Sequence, residues 1–147
     1  MVADESSTVP RIFSEPDFRH MLGWEVQRST RYQDFLSLCL VRLDYSGEGL
    51  LETRATIAQR VAELLRSTDV VGSVGNDVAI LLVHTPDSEA SGIIQRLRDQ
   101  LESSPLPTVT GVPAPRIELR MAIASFPSDA TSDSALLARA LSQLSGL

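Results

Sequence analysis

Two periods of hydrophobic spacing alternate along this chain. Phe18, Met21, Leu22 and Val26 recur three or four residues apart, on one face of a helix. Ser14-Glu15-Pro16-Asp17 ahead of them supplies a capping hydroxyl, a first-turn proline and two acids for the positive dipole end. The spacing therefore predicts a helix from residue 15 to about Tyr32. Leu36–Leu43 breaks the period: LSLCLVRL, apolar but for Ser37 and Arg42, reads as a buried central strand. A loop follows over Tyr45–Gly49. Helical spacing then returns over Leu50–Arg66, with Ile57, Val61, Leu64 and Leu65 on the core side.

Asp69–Leu82, DVVGSVGNDVAILL, reads as a hairpin. Two valine- and leucine-rich runs flank Gly75-Asn76, a two-residue turn of the primed type that needs positive φ. Thr85-Pro86-Asp87 closes it and caps a helix over Ser88–Ser103, striped by Ile93, Ile94, Leu97 and Leu101. Residues 104–115 hold four prolines and read as a loop, Arg116–Phe126 as a strand, Ser128-Asp129 as a turn, and Ser132–Leu144 as a last helix. The order of helix, strand, helix, hairpin, helix, strand, helix predicts an α+β domain with a mixed sheet and helices on one face. Residues 1–14 are expected to be a flexible N-terminal segment and 15–147 a single domain.

Composition narrows the chemistry. The 147 residues are 43% hydrophobic and 22% charged, ordinary for a globular domain. Cys39, the single cysteine, lies inside an apolar run, which excludes an internal disulfide and a cysteine zinc cluster and favours a buried small hydrophobe. All 13 basic residues are arginines and the net charge is −6. With no basic stripe, nucleic-acid binding is not expected, and without lysine neither Schiff-base chemistry nor a P-loop is available. No apolar run is long enough for membrane insertion and no secretion signal is evident, so a cytoplasmic location is expected. His20 and His84 have no partner spacing and read as surface or half-buried histidines, and Trp24 as a half-buried ring at the stripe edge. Glu89, Asp129 and Asp133 read as helix starts and turns.

Four stretches carry a family resemblance. Glu25–Asp44 resembles E-x-x-R-A-x-R-Y…L-S-L-L-x-x-D-x-D. Val61–Leu82 resembles V-A-x-x-L-R-x-x-D…G-G-D-E-F-x-x-L-L. Met121–Ala130 resembles S-I-G-I-A-x-x-P-x-D, and Leu136–Ala140 the closing L-L-x-R-A-D helix. In order and spacing the chain resembles the GGDEF family, the diguanylate cyclases that join two GTP into cyclic di-GMP. The resemblance implies a palm-like, ferredoxin-like sheet with the signature hairpin at 70–83. Absent are the opening motif D-x-L-T-G-L-x-N-R and the lysine-bearing tail.

Joining two GTP is phosphoryl transfer, and Mg²⁺ there bridges phosphates from one or two carboxylates. The five signature positions are Gly75, Asn76, Asp77, Val78 and Ala79; the acid expected at 78 is replaced. The strand D-x-D becomes Arg42-Leu43-Asp44, a cation in place of a metal aspartate. Leu50 and Ala55 fall near the base-binding asparagine and aspartate. The former metal site is thus Arg42, Asp44 and Asp77, where Arg42 and Asp77 are expected to lie close and pair, or Arg42 to bind phosphate directly. Arg66 and Asp69 match the family's R-x-x-D site, which holds cyclic di-GMP in relatives; they also fit a helix end and a turn.

These substitutions lead to the expectation of a degenerate, catalytically inactive domain, not an enzyme, with no metal, no cofactor and no catalytic residue. It would work as a regulatory or protein-interaction module that contacts itself or a protein partner. The alternative is a cyclic di-GMP receptor through Arg66 and Asp69, and the third reading an enzyme of altered nucleotide chemistry.

Overall fold

The computed structural model describes residues 11–46, 50–103 and 116–145. Its elements run β1 (Ile12–Phe13), α1 (Glu15–Tyr32), β2 (Leu36–Ser46), α2 (Leu50–Leu64), β3 (Val70–Val74), β4 (Asp77–Val83), α3 (Asp87–Ser103), β5 (Arg116–Phe126) and α4 (Asp133–Leu144). The strands form one five-stranded sheet in the order β1-β3-β4-β2-β5. β1 pairs parallel with β3, and the other pairings are antiparallel. The sheet is mixed and the class α+β, as the pattern predicts.

Alternation along the strands explains the layers. Leu36, Leu38 and Leu40 of β2, with Ala79, Leu81 and Val83 of β4, face one core that Phe18, Leu22 and Val26 of α1 and Leu136, Leu137 and Ala140 of α4 complete. Cys39 and Val41, with Val78, Ile80 and Leu82, face a second core closed by Ile57 and Val61 of α2 and Ile94, Leu97 and Leu101 of α3. The expectation of helices on one face is therefore corrected: two helices cover each face. A strand with apolar side chains on both faces, such as LSLCLVRL, demands this, because odd and even side chains both need a dry partner. Each fully buried leucine adds about 1.5–3 kcal/mol to the folded state.

Local signals hold at the helix ends. Ser14 caps α1, its side chain accepting from the Asp17 N–H, and Ser132 caps α4 by accepting from Ala135. Gln33 stops α1 in the left-handed conformation, with its N–H on Ser29 O. α2 ends at Leu64, two residues before the expected Arg66. β2 extends to Ser46, so Tyr45 and Ser46 belong to a strand and not to the expected loop. Strand β1, inside the segment expected to be flexible, is two residues long and carries no periodic signal. Residues 1–10 of that expected flexible segment and the expected loop at 104–115 lie outside the described residues.

The free edge of β5 is covered by side chains. Gln143 of α4 binds both main-chain groups of Ile123: its Oε1 accepts from the N–H at 3.1 Å and its Nε2 donates to the carbonyl at 2.8 Å. Asp129 accepts from Ser125 N–H at 2.8 Å, and Arg98 donates to Leu119 O at 2.8 Å. An edge so occupied resists pairing with a foreign strand.

Two stability measurements follow. Gly72 lies against β1 and α1, where an added Cβ would stand 2.7 Å from Phe13 O and 2.9 Å from Phe18 Cδ1. Gly72→Ala should lower stability by about 1–3 kcal/mol, read from the denaturant midpoint. Cys39 is fully buried, and burial pushes its thiol from 9.0 up to about 12. The native state keeps the proton that the unfolded chain loses, so this contribution is intact below pH 9.0 and fades as pH rises toward about 12. Native protein should resist alkylation at pH 8, and Cys39→Ala should flatten the alkaline loss of stability in a pH series of melts.

Candidate functional site

The tip of the β3–β4 hairpin is held by three other elements, one for each residue from 75 to 77. Val74 pairs with Asp77, leaving Gly75 and Asn76 as the turn, and Gly75 has the positive φ of 58° that such a turn asks of its first residue. The Gly75 N–H donates to Glu15 Oε1 of α1 at 2.7 Å. Arg54 of α2 donates through Nη1 to Asn76 O at 3.3 Å and to Asn76 Oδ1 at 3.1 Å. Arg42 of β2 holds Asp77 with both arms of its fork, Nε to Oδ1 at 2.9 Å and Nη2 to Oδ2 at 3.0 Å.

Strand register explains the last contact. β2 and β4 pair from Leu36↔Val83 to Val41↔Val78, so the next step sets Arg42 opposite Asp77. Both point to the α1/α4 face, shared with Leu40 and Ala79. Asp77 is 2% exposed, so its charge depends on Arg42 for an answer. Donating to Asp77, and then the charges of Asp77 and Asp44, raise the Arg42 pKa despite some burial. The Gly75 N–H, and after it Arg19, hold the Glu15 carboxyl below its usual range.

These groups line a cleft of about 450 Å³. Arg19, Arg42 and Arg54 reach it with Glu15 and Asp77. Arg19 pairs with Glu15 at 2.9 Å and Arg42 with Asp77. Among the described residues Arg54 has no carboxylate partner, and its guanidinium donates to Asn76. Sequence reading missed Glu15, Arg19 and Arg54 as site residues. Glu15 reads there as a helix-start acid, and nothing in its spacing points to a turn 60 residues away.

The remaining signature positions serve packing. Val78 is 1% exposed in the α2/α3 core and Ala79 is fully buried in the other. Asp44 is exposed at the far end of β2, opposite Glu118 of β5. A divalent cation does not fit at Asp77 in this arrangement, since both oxygens already accept from a guanidinium. Among the described residues no group of three or more His, Cys, Asp or Glu could hold a metal ion.

Arg66 and Asp69 lie at the opposite end of the hairpin, about 20 Å from the turn along β4. They pair at 3.1 Å, and Asp69 accepts also from Arg66 N–H at 3.2 Å and Val83 N–H at 3.3 Å. Arg66 Nη2 donates to Val83 O at 2.9 Å and Thr85 Oγ1 at 3.0 Å. The pair thus fastens the end of β4 to the start of β3. His84 contacts Asp34, which also takes Arg28, so this histidine has a partner that spacing did not suggest. Trp24 is 61% exposed and not the expected half-buried ring. Glu89 and Asp133 lie in helix first turns, and Asp129 in the turn after β5, as read from sequence.

Among the described residues no helix is long and apolar enough to cross a membrane. No curated protein matches the sequence. Solved structures do. A diguanylate cyclase protein from Thermotoga maritima superposes with a TM-score of 0.73 at 21% identity, over 94% of this chain and 96% of that one. The FimX GGDEF domain from Pseudomonas aeruginosa gives 0.79 at 17% identity, over 94% and 90%. The GGDEF domain of DgcB from Caulobacter crescentus, solved in complex with cyclic di-GMP, gives 0.72 at 15% identity, over 99% and 89%. At these identities the likeness establishes the palm-like fold.

The family model for the diguanylate cyclase GGDEF domain matches residues 46–145. This overturns the expectation that the chain is not an enzyme: the family it matches is an enzyme family. That expectation rests on Arg42 and Val78 standing where two acids are expected, and two substitutions do not outweigh a family match over residues 46–145. With more than half of the chain matched and the fold shared, the chain belongs to the GGDEF family of diguanylate cyclase domains, a family of bacterial cyclic di-GMP signalling.

Proposed function

We propose that this chain is a regulatory domain of cyclic di-GMP signalling that takes a guanine nucleotide into the hairpin cleft and passes the bound state to a protein partner. The observation that carries the reading is Arg54. Among the described residues it is the cation in the cleft without a carboxylate, and it stands over the turn that the family signature marks. A guanidinium fork suits phosphate oxygens, and a site that already balances Arg19 with Glu15 and Arg42 with Asp77 gains most by bringing an anion to the unpaired charge. A cleft of about 450 Å³ has the size of an ordinary small-molecule site. Arg66 and Asp69 favour the reading less, because their hydrogen-bonding groups are committed to each other, Val83 and Thr85.

Calorimetric titration with GTP and with cyclic di-GMP, with GTP turnover followed in the same samples, tests this. Binding by wild type should weaken about tenfold in Arg54→Ala, about 1.4 kcal/mol, and stay unchanged in Arg66→Ala. Absence of binding, or loss in Arg66→Ala with Arg54→Ala unaffected, would defeat the reading.

Arg42 has a separable structural role. Removing it leaves the Asp77 carboxylate buried without its partner. Arg42→Ala should cost about 2–4 kcal/mol, below the full penalty of a buried break because Arg42 is partly in water. Arg42→Ala with Asp77→Ala should recover part of the loss in a double-mutant cycle read by chemical denaturation.

A further inference from the structure

Two carboxylates line the hairpin cleft, and they are held in opposite ways. Asp77 is buried, with both oxygens gripped by Arg42. Glu15 stands in the first turn of α1 with its side chain 37% exposed. Its Oε1 accepts from the Gly75 N–H at 2.7 Å and its Oε2 from Arg19 Nε at 2.9 Å. One oxygen on a turn amide and the next on a guanidinium is also how a protein holds a phosphoryl group.

Neither end of the Glu15–Gly75 contact needs it for shape. The Val74↔Asp77 rung and the positive φ of Gly75 define the turn, and Ser14 caps the helix. The space beside the turn is open, since a Cβ built on Gly75 would meet nothing within 4 Å. Glu15 is free to leave as well. An exposed pair with an arginine contributes little to stability. Released from Gly75, the carboxylate stays in the first turn of α1, where the positive end of the helix dipole favours it. Asp77 has no such exit. The charge balance rewards the exchange. Moving Glu15 out leaves the Gly75 N–H and Arg19 without an acceptor, next to Arg54, which among the described residues has no carboxylate. A group with more than one negative charge fits what remains.

We infer that Glu15 is a resident anion in a phosphate subsite built from the Gly75 N–H, Arg19 and Arg54, and that a phosphoryl group of the incoming ligand displaces it. The inference rests on the nucleotide reading of this cleft and names the part of it that receives phosphate. Glu15 then sets a threshold. A ligand has to outcompete a carboxylate that the chain itself supplies, so a monoanion gains little by a one-for-one exchange, and a polyphosphate gains through its extra charge.

Calorimetric titrations of the full chain with GTP and with inorganic pyrophosphate, at one ionic strength because salt screens exposed charges, test this. Glu15→Ala should bind both probes about tenfold more tightly than wild type, through loss of a like charge at short range. Glu15→Gln should tighten binding by less, because its amide oxygen still accepts from Gly75. In the Glu15→Ala background, Arg19→Ala should remove most of the gain. A clamp that merely steadies the turn predicts the opposite sign. Unchanged or weaker binding by both Glu15 variants, with matched denaturant midpoints, therefore overturns the inference, and the nucleotide reading survives if Arg54→Ala still weakens GTP binding by wild type. Pyrophosphate binding that tightens in Glu15→Ala, with no GTP binding by any variant, supports the subsite and defeats the nucleotide reading alone. No binding of either probe by Glu15→Ala overturns the inference.

Discussion

A carboxylate at 2% exposure inside a sheet has to be answered, and Arg42 answers Asp77 with two hydrogen bonds of 2.9 and 3.0 Å. The position of the hairpin tip depends on this pair. It continues the β2–β4 register by one rung, past Val41↔Val78, and so fixes where β4 begins and where the turn projects. Because Arg42 itself is partly exposed, the pair joins the dry interior of the sheet to the cleft wall. Glu15 and Arg54 then hold Gly75 and Asn76 from α1 and α2. Three elements distant in sequence converge on three adjacent residues.

The rest of the domain serves that convergence through its two cores. β2 and β4 are central and apolar on both faces, so helices on both sides are needed to dry them. α1 and α2 cover opposite faces, and Glu15 and Arg54 therefore come to the tip from either side of the sheet. Packing and site geometry are one arrangement here: the helix pairs that bury the sheet deliver the groups that clamp its turn.

Much of this fold is legible in the sequence because its signals are local. Ser14 and Ser132 are caps with side chains in reach of the next turn, Gly75-Asn76 is a turn by conformation, and Leu36–Leu43 is a buried strand by composition. β1 was not legible, since two residues carry no period. The side of the sheet on which each helix packs was not legible either, because that depends on crossover geometry. At the site, Arg42 and Asp77 could be named from the family signature. Glu15 and Arg54 could not: an acid in a first turn and an arginine within a helix are ordinary in their own surroundings. Trp24 departs from its expected burial for a related reason. Its place at the edge of an apolar stripe suggests partial burial, but α1 meets the sheet through Phe18, Leu22 and Val26, which leaves the ring outside.

Val78 shows why signature residues have to be judged by the face they occupy. Along β4, Asp77, Ala79, Leu81 and Val83 turn toward α1 and α4, and Val78, Ile80 and Leu82 toward α2 and α3. A residue at 78 thus answers to Val41 across the strand and to the α2/α3 core, while one at 77 answers to Arg42 and the cleft. A valine at 78 strengthens the second core whatever it does to the site. The same signature therefore holds two residues under different constraints, one set by packing and one by charge. Only the charged one is coupled to groups that reach the cleft, which is why chemistry there has to be read from Glu15, Arg42, Arg54 and Asp77 as a set and not from the five-residue signature alone.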